Sequence, residues 1–144
     1  HALLQFLGTY LREVDRAAES LRCFERALAL NPNSAKAHFG RALASDDRQS
    51  ALEAFRRAVE LEPDNVVFQY HYGAVLSALG RYQDALAPLN KAVEIDPNFW
   101  RAYHERSICY ESLGRFPSAQ QERERCERIR ARGHDLPADL DPMA

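Results

Sequence analysis

Apolar and polar positions alternate along this chain with a helical period, and they do so in copies. Residues 21–32 read LRCFERALALNP, residues 52–63 read LEAFRRAVELEP and residues 86–97 read LAPLNKAVEIDP. Each segment opens on Leu, carries Ala at its centre and ends on Pro, at Pro32, Pro63 and Pro97, so the spacings are 31 and 34 residues. Within each, apolar residues recur every three or four places, as at Leu21, Phe24, Ala27 and Leu28, which predicts an amphipathic helix. The Pro that follows cannot extend it and closes the helix.

A second helix is predicted upstream of each copy. Residues 2–13 carry Leu4, Leu7, Gly8 and Leu11; residues 66–79 carry Tyr72, Gly73 and Leu76; residues 100–113 carry Tyr103, Ser107 and Tyr110. Gly80 and Gly114 stand where these helices should end. Only a few residues separate each pair, the length of an antiparallel helical hairpin.

This recurrence resembles the tetratricopeptide repeat. The family's signature of large, Leu, Gly, Tyr, Ala, Phe, Ala and Pro residues falls on Leu4, Leu7, Gly8, Leu11, Ser20, Phe24, Ala27 and Pro32, and again on Gln69, Tyr72, Gly73, Leu76, Ala85, Leu89, Ala92 and Pro97. The segment ALGRYQDAL is close to the family's hairpin turn. The resemblance implies an all-α, right-handed superhelical solenoid of about four helix-turn-helix repeats and eight helices. Its repeats would be residues 1–34, 35–65, 66–99 and 100–132, with 133–144 as an acidic, Pro-containing, flexible tail. Small residues such as Gly73, Ala85 and Ala92 let helix backbones approach, and neighbouring hairpins cover the apolar faces that one hairpin cannot bury alone.

The second repeat is three residues short and admits two registers. One puts His38 at the large position, Arg41 and Ala42 at the Leu-Gly pair, and the deletion at Asp46, Asp47 and Arg48; the other puts Phe39 and Gly40 at that pair. The first is preferred because it shortens only an exposed turn. The fourth repeat starts regularly, but its second helix, QQERERCERIRARG, thins to Ala119, Cys126 and Ile129 and reads as the solvent-facing cap of the array. Pro88 falls inside the predicted second helix of the third repeat, where its ring would remove a hydrogen bond or land at the edge of the free first turn.

Composition narrows the function. The 144 residues are 46% hydrophobic and 28% charged, ordinary for a globular protein, and no apolar run is long enough for a membrane span. A net charge of −2 with interspersed signs lacks the field that draws proteins to nucleic acid. Nothing marks secretion, which favours a cytoplasmic setting, while a start at His1 suggests a piece of something longer. Cys23, Cys109 and Cys126 form no CxxC pair and are expected as buried, reduced thiols at helical packing positions. His38, His71 and His104 recur every 33 residues but fall at different places in their repeats, so no metal or other cofactor is expected. No phosphate loop or nucleophile motif is present, and no enzymatic activity is expected.

The family resemblance further implies a concave groove lined by the first helices. Carried over by position, its residues are Gln5, Thr9 and Arg12 in the first repeat and Phe39 and Leu43 in the second. The third repeat contributes Tyr70, His71 and Ala74, and the fourth Arg101, His104 and Ile108. Apolar anchors with a few basic groups suit a peptide or partner segment. Members that grip the acidic tails of heat-shock chaperones resemble one another in a Lys and Asn on the first helix, Asn on the second, and Lys and Arg on the third. Gln5, Thr9, Gly40, Val67 and His71 stand there in this chain, so that clamp is not expected.

Leu3, Phe6, Tyr10 and Val14 form a further stripe on the first helix. Each large apolar side chain left in water forgoes about 1.5–3 kcal/mol, so this edge is expected to meet an upstream helix or a second copy. The function anticipated is a protein-interaction scaffold. Two alternatives are a module that self-assembles through the N-terminal edge and a regulatory domain of a larger, possibly enzymatic protein.

Overall fold

The computed structural model describes residues 2–134, with side chains at Leu7 and from 16 to 133. Among the described residues there are seven helices and no strand. They fall into two compact units, residues 1–63 and 64–144. The first holds α1 (Ala2–Leu30), α2 (Ala35–Ala44) and α3 (Arg48–Leu61); the second holds α4 (Val66–Ala78), α5 (Tyr82–Ile95), α6 (Trp100–Ser112) and α7 (Phe116–His134).

Seven helices rather than eight is a correction, and it lies in α1. The two helices expected in the first repeat are one continuous helix of 29 residues. The reason is visible in the turns that do form. Gly80 and Gly114 take the left-handed conformation, with φ of 79° and 78°. At the first of these, Gly80 N–H donates to Ser77 O and Arg81 N–H to Leu76 O, closing α4 with two crossed bonds; Gly114 and Arg115 repeat the pattern on Glu111 and Tyr110. The corresponding stretch of α1, VDRAAES, has no Gly and no Pro, and nothing interrupts the helical ladder. Cys23 is exposed for the same reason: no first helix folds back to cover it, whereas Cys109 and Cys126 are buried.

In the first unit α2 and α3 form a hairpin and α1 packs on α2. Ser34 caps α2 by accepting from the N–H of Ala37, and Asp47 caps α3 by accepting from that of Gln49. His38 Nε2 lies 2.8 Å from Pro32 O, six residues back, just as Tyr103 Oη donates to Pro97 O at 2.9 Å. His38 therefore occupies the large position of its repeat, and Ala42, buried, sits where Gly73 sits in the next. Helix α2 is three residues shorter than α4, while residues 45–47 and 79–81 give turns of equal length, so the deletion shortens the end of α2 and not, as expected, the hairpin turn. A Cβ on Gly40 would run into the ring of Phe24, which fits Gly40 to the α1 contact instead.

In the second unit α4/α5 and α6/α7 are two hairpins, with α5 and α4 both packed against α6. The interface is lined by small residues: Ala85, Ala92, Ala102 and Ala119 have no exposed surface, and Leu89 and Cys109 fill the space between them. A Cβ on Gly73 would lie 2.6 Å from Leu89 Cγ, so the absence of a side chain sets the α4–α5 approach. Pro88 is buried within α5, and Pro117 lies in the first turn of α7, where its missing N–H is not needed.

Candidate functional site

Several of the predicted groove residues share one face of α4 and α6 within the second unit. Tyr70 and Ala74 lie one turn apart on α4, and Arg101, His104 and Ile108 lie at three- and four-residue spacing on α6, so each set forms one stripe. The ring of Tyr70 meets Phe99 edge-on at 5.4 Å and His71 at 5.1 Å. Burial pushes the Tyr70 hydroxyl above its usual range, the nearby Glu105 carboxylate adds to this, and Arg101 opposes it. His71 is driven the other way: burial first and then the Arg101 guanidinium hold its ring toward the neutral form.

Glu105 was not singled out from sequence and belongs to this cluster. Burial raises its carboxyl above the ordinary 4.5, with His104 pulling it back. Its place four residues after Arg101 and three before Ile108 puts it on the same stripe, a signal the spacing did contain. Beneath it, Cys109 is buried, and both burial and Glu105 raise its thiol, while a hydrogen bond with buried Ser77 lowers it. The face thus has a packed floor, an aromatic wall, one guanidinium and one carboxylate. Ile108, 37% exposed, supplies an apolar contact at its end.

The remaining predicted residues divide. Arg101 also lies 5.5 Å from the Trp100 ring, which on its other contact meets Arg130 at 4.8 Å. In the first unit Leu43 is 57% exposed, whereas Phe39 is half-buried with its ring 5.7 Å from that of Phe55, so Phe39 packs its own hairpin. The side chains of Gln5, Thr9 and Arg12, and of the edge residues Leu3, Phe6, Tyr10 and Val14, lie outside the described residues. Leu7, between them, is 44% exposed. No group of three His, Cys, Asp or Glu side chains that could hold a metal ion occurs among the described residues, and no described helix is long and apolar enough to cross a membrane.

Residues 7–50 and 42–105 match two models of the tetratricopeptide repeat. The chain is 35% identical over 83 residues to the Protein STIP1 homolog of Dictyostelium discoideum, covering 58% of this chain and 15% of that protein. It is 32% identical over 84 residues to the small glutamine-rich tetratricopeptide repeat-containing protein 2 of Mycosarcoma maydis, covering 58% of this chain and 24% of that one. The chain therefore spans less than a quarter of the length of these relatives. A crystal structure of MamA superposes with a TM-score of 0.80 at 22% identity, covering 90% of this chain and 78% of that one, a likeness of fold. With the repeated hairpins, the glycine-closed turns and the Pro-terminated second helices, these matches establish that the chain belongs to the tetratricopeptide-repeat family of helical interaction scaffolds.

Proposed function

We propose that the chain holds a peptide or partner segment against the α4/α6 face, with Tyr70, His71, Arg101 and Ile108 as its contact residues. The observation that carries this reading is the pairing of half-buried Tyr70 and Glu105 with exposed Arg101 and Ile108 on one face. Such a surface offers an apolar anchor site, a guanidinium for a carboxylate or carbonyl, and a carboxylate for an N–H donor. Leu43 of the first unit is the corresponding exposed contact there. A two-carboxylate clamp is not part of the proposal, because His71 is held neutral and Gly40 is committed to Phe24.

The test is a pull-down with the intact chain as bait, followed by affinity measurement on whatever single partner is recovered. Tyr70→Ala/Arg101→Ala should weaken that partner at least tenfold while leaving the thermal melt within a few degrees of the parent. A partner held equally by both proteins would move the binding surface elsewhere.

A second reading is supported by the relatives' lengths: the matched segment is 15–24% of each, the proportion of a module within a larger protein. In that reading the same face serves as a regulatory or targeting surface for other domains. Sequencing the full reading frame distinguishes the two directly.

A further inference from the structure

A separate feature of the second unit lies on the opposite side of α6 from the proposed groove. Pro97, Tyr103 and Ile129 line a cleft of about 550 Å3 together with Arg125, Arg128 and Arg132. The three arginines recur at spacings of three and four residues and so form one stripe on α7. Among the described residues no carboxylate lines the cleft. Arg125 reaches Glu122 at 3.4 Å and its side chain stays half exposed, while Arg128 and Arg132 have no ion-pair partner among the described residues.

Cations near a helix C-terminus are favoured by the helix dipole, and that alone could account for Arg132. It does not account for Arg125, nine residues before the last residue of α7, nor for the placing of all three on the cleft side. The dipole effect falls off within the last turn and is indifferent to which face a charge occupies. On the far face Arg130 instead meets Trp100.

We propose that this cleft docks an acidic, extended peptide segment of a partner protein. Its carboxylates would pair with the planar guanidinia of Arg128 and Arg132, and an aliphatic side chain between them would rest on Ile129, Pro97 and the Tyr103 ring. The Tyr103 hydroxyl is already committed as a donor to Pro97 O, so the floor is preformed. Peptide is favoured over nucleic acid because the cationic stripe is short, holds three charges, and sits on a chain of net charge −2.

Fluorescence anisotropy of a fluorescein-labelled peptide DDLDDL tests the proposal on the intact chain. Saturable binding is expected at low salt, weakening on addition of about 0.5 M salt. Arg128→Glu/Arg132→Glu and the milder Arg128→Gln/Arg132→Gln should each weaken it at least tenfold. Tyr70→Ala/Arg101→Ala, on the other face, should leave it unchanged, and a KKLKKL peptide should not bind. Equal affinity in parent and charge variants, or no binding at all, overturns the proposal. So does tighter binding of oligo(dT) than of the peptide. A dimer that the Arg128/Arg132 variants dissolve would identify a second copy as the occupant, and binding seen only when the chain is stopped after His134 would identify the chain's own last residues; either result also overturns it.

Discussion

Arg106 Nη2 and Glu122 Oε1 face each other at 3.4 Å across the α6/α7 hairpin, with side chains 12% and 5% exposed. Arg106 stands where the repeat signature has Leu and where the previous repeat has Tyr72, so an ion pair replaces an apolar contact. Its guanidinium lies 5.8 Å and 5.9 Å from the rings of Tyr103 and Tyr110, and burial raises the Glu122 carboxyl despite Arg106 and Arg125. Among the described residues Glu122 Oε2 and Arg106 Nε have no hydrogen-bond partner. An ion pair so incompletely satisfied repays little of its desolvation.

Removing one member should therefore cost more than removing both. Arg106→Leu leaves Glu122 buried with only the half-exposed Arg125 and is expected to destabilise by on the order of 3 kcal/mol. Arg106→Leu/Glu122→Leu is expected to be neutral or stabilising. Urea unfolding of the two single variants and the double variant yields the coupling; a double variant less stable than either single would contradict it.

The glycines separate by position. Gly73→Val should cost about 1–3 kcal/mol, because its side chain must displace fully buried Leu89. Gly80→Ala should cost about 1–2 kcal/mol, because φ of 79° is unfavourable for a residue with a Cβ even though space is open. Gly133→Ala, in the last turn of α7 with open space around it, should cost nothing. Thermal melts of the three variants check this order.

His38 can be tested by substitution from its own chain's repertoire. His38→Phe keeps the ring and loses the bond to Pro32 O, and about 1 kcal/mol of stability is expected to go with it. His38→Tyr should restore the parent's stability, since Tyr103 makes the same bond to Pro97 O. Equal stability of the Phe and Tyr variants in chemical denaturation would remove the bond's role.

Glu105 imposes a pH dependence of definite sign. Its folded pKa lies above its ordinary 4.5, chiefly through burial. Stability from the group is fully present below about pH 4.5 and is lost as pH rises through the folded value. Glu105→Gln cannot ionise and should escape that loss. The stability difference, variant minus parent, should therefore be larger at pH 7 than at pH 4.5. A pH-independent difference would show that the carboxyl is effectively solvated.

Much of the architecture was legible because hairpin closure is local. Pro32, Pro63 and Pro97, Gly80 and Gly114, and the Ala and Leu periodicity act within a few residues, and α2 to α7 follow them. The same locality misled at α1: Leu4, Leu7, Gly8 and Leu11 match the first-helix signature, yet no glycine follows to reverse the chain. The sign was in the sequence, as an absence that the positive matches obscured.

The candidate site was legible only as stripes. Tyr70, Arg101 and Ile108 could be placed on helix faces by counting, but Glu105 acquires its raised pKa from burial beside Tyr70, a residue on another helix. Likewise the Arg106–Glu122 pair joins positions sixteen apart, the first within a stretch read as regular and the second within the helix read as a solvent-facing cap. The sequence by itself determined helical periods, turn positions and repeat membership, since those depend on backbone conformation and near neighbours. Which charges are desolvated, which rings form walls and which arginines share a cleft was decided by tertiary packing alone, because burial is a property of what the rest of the chain places alongside.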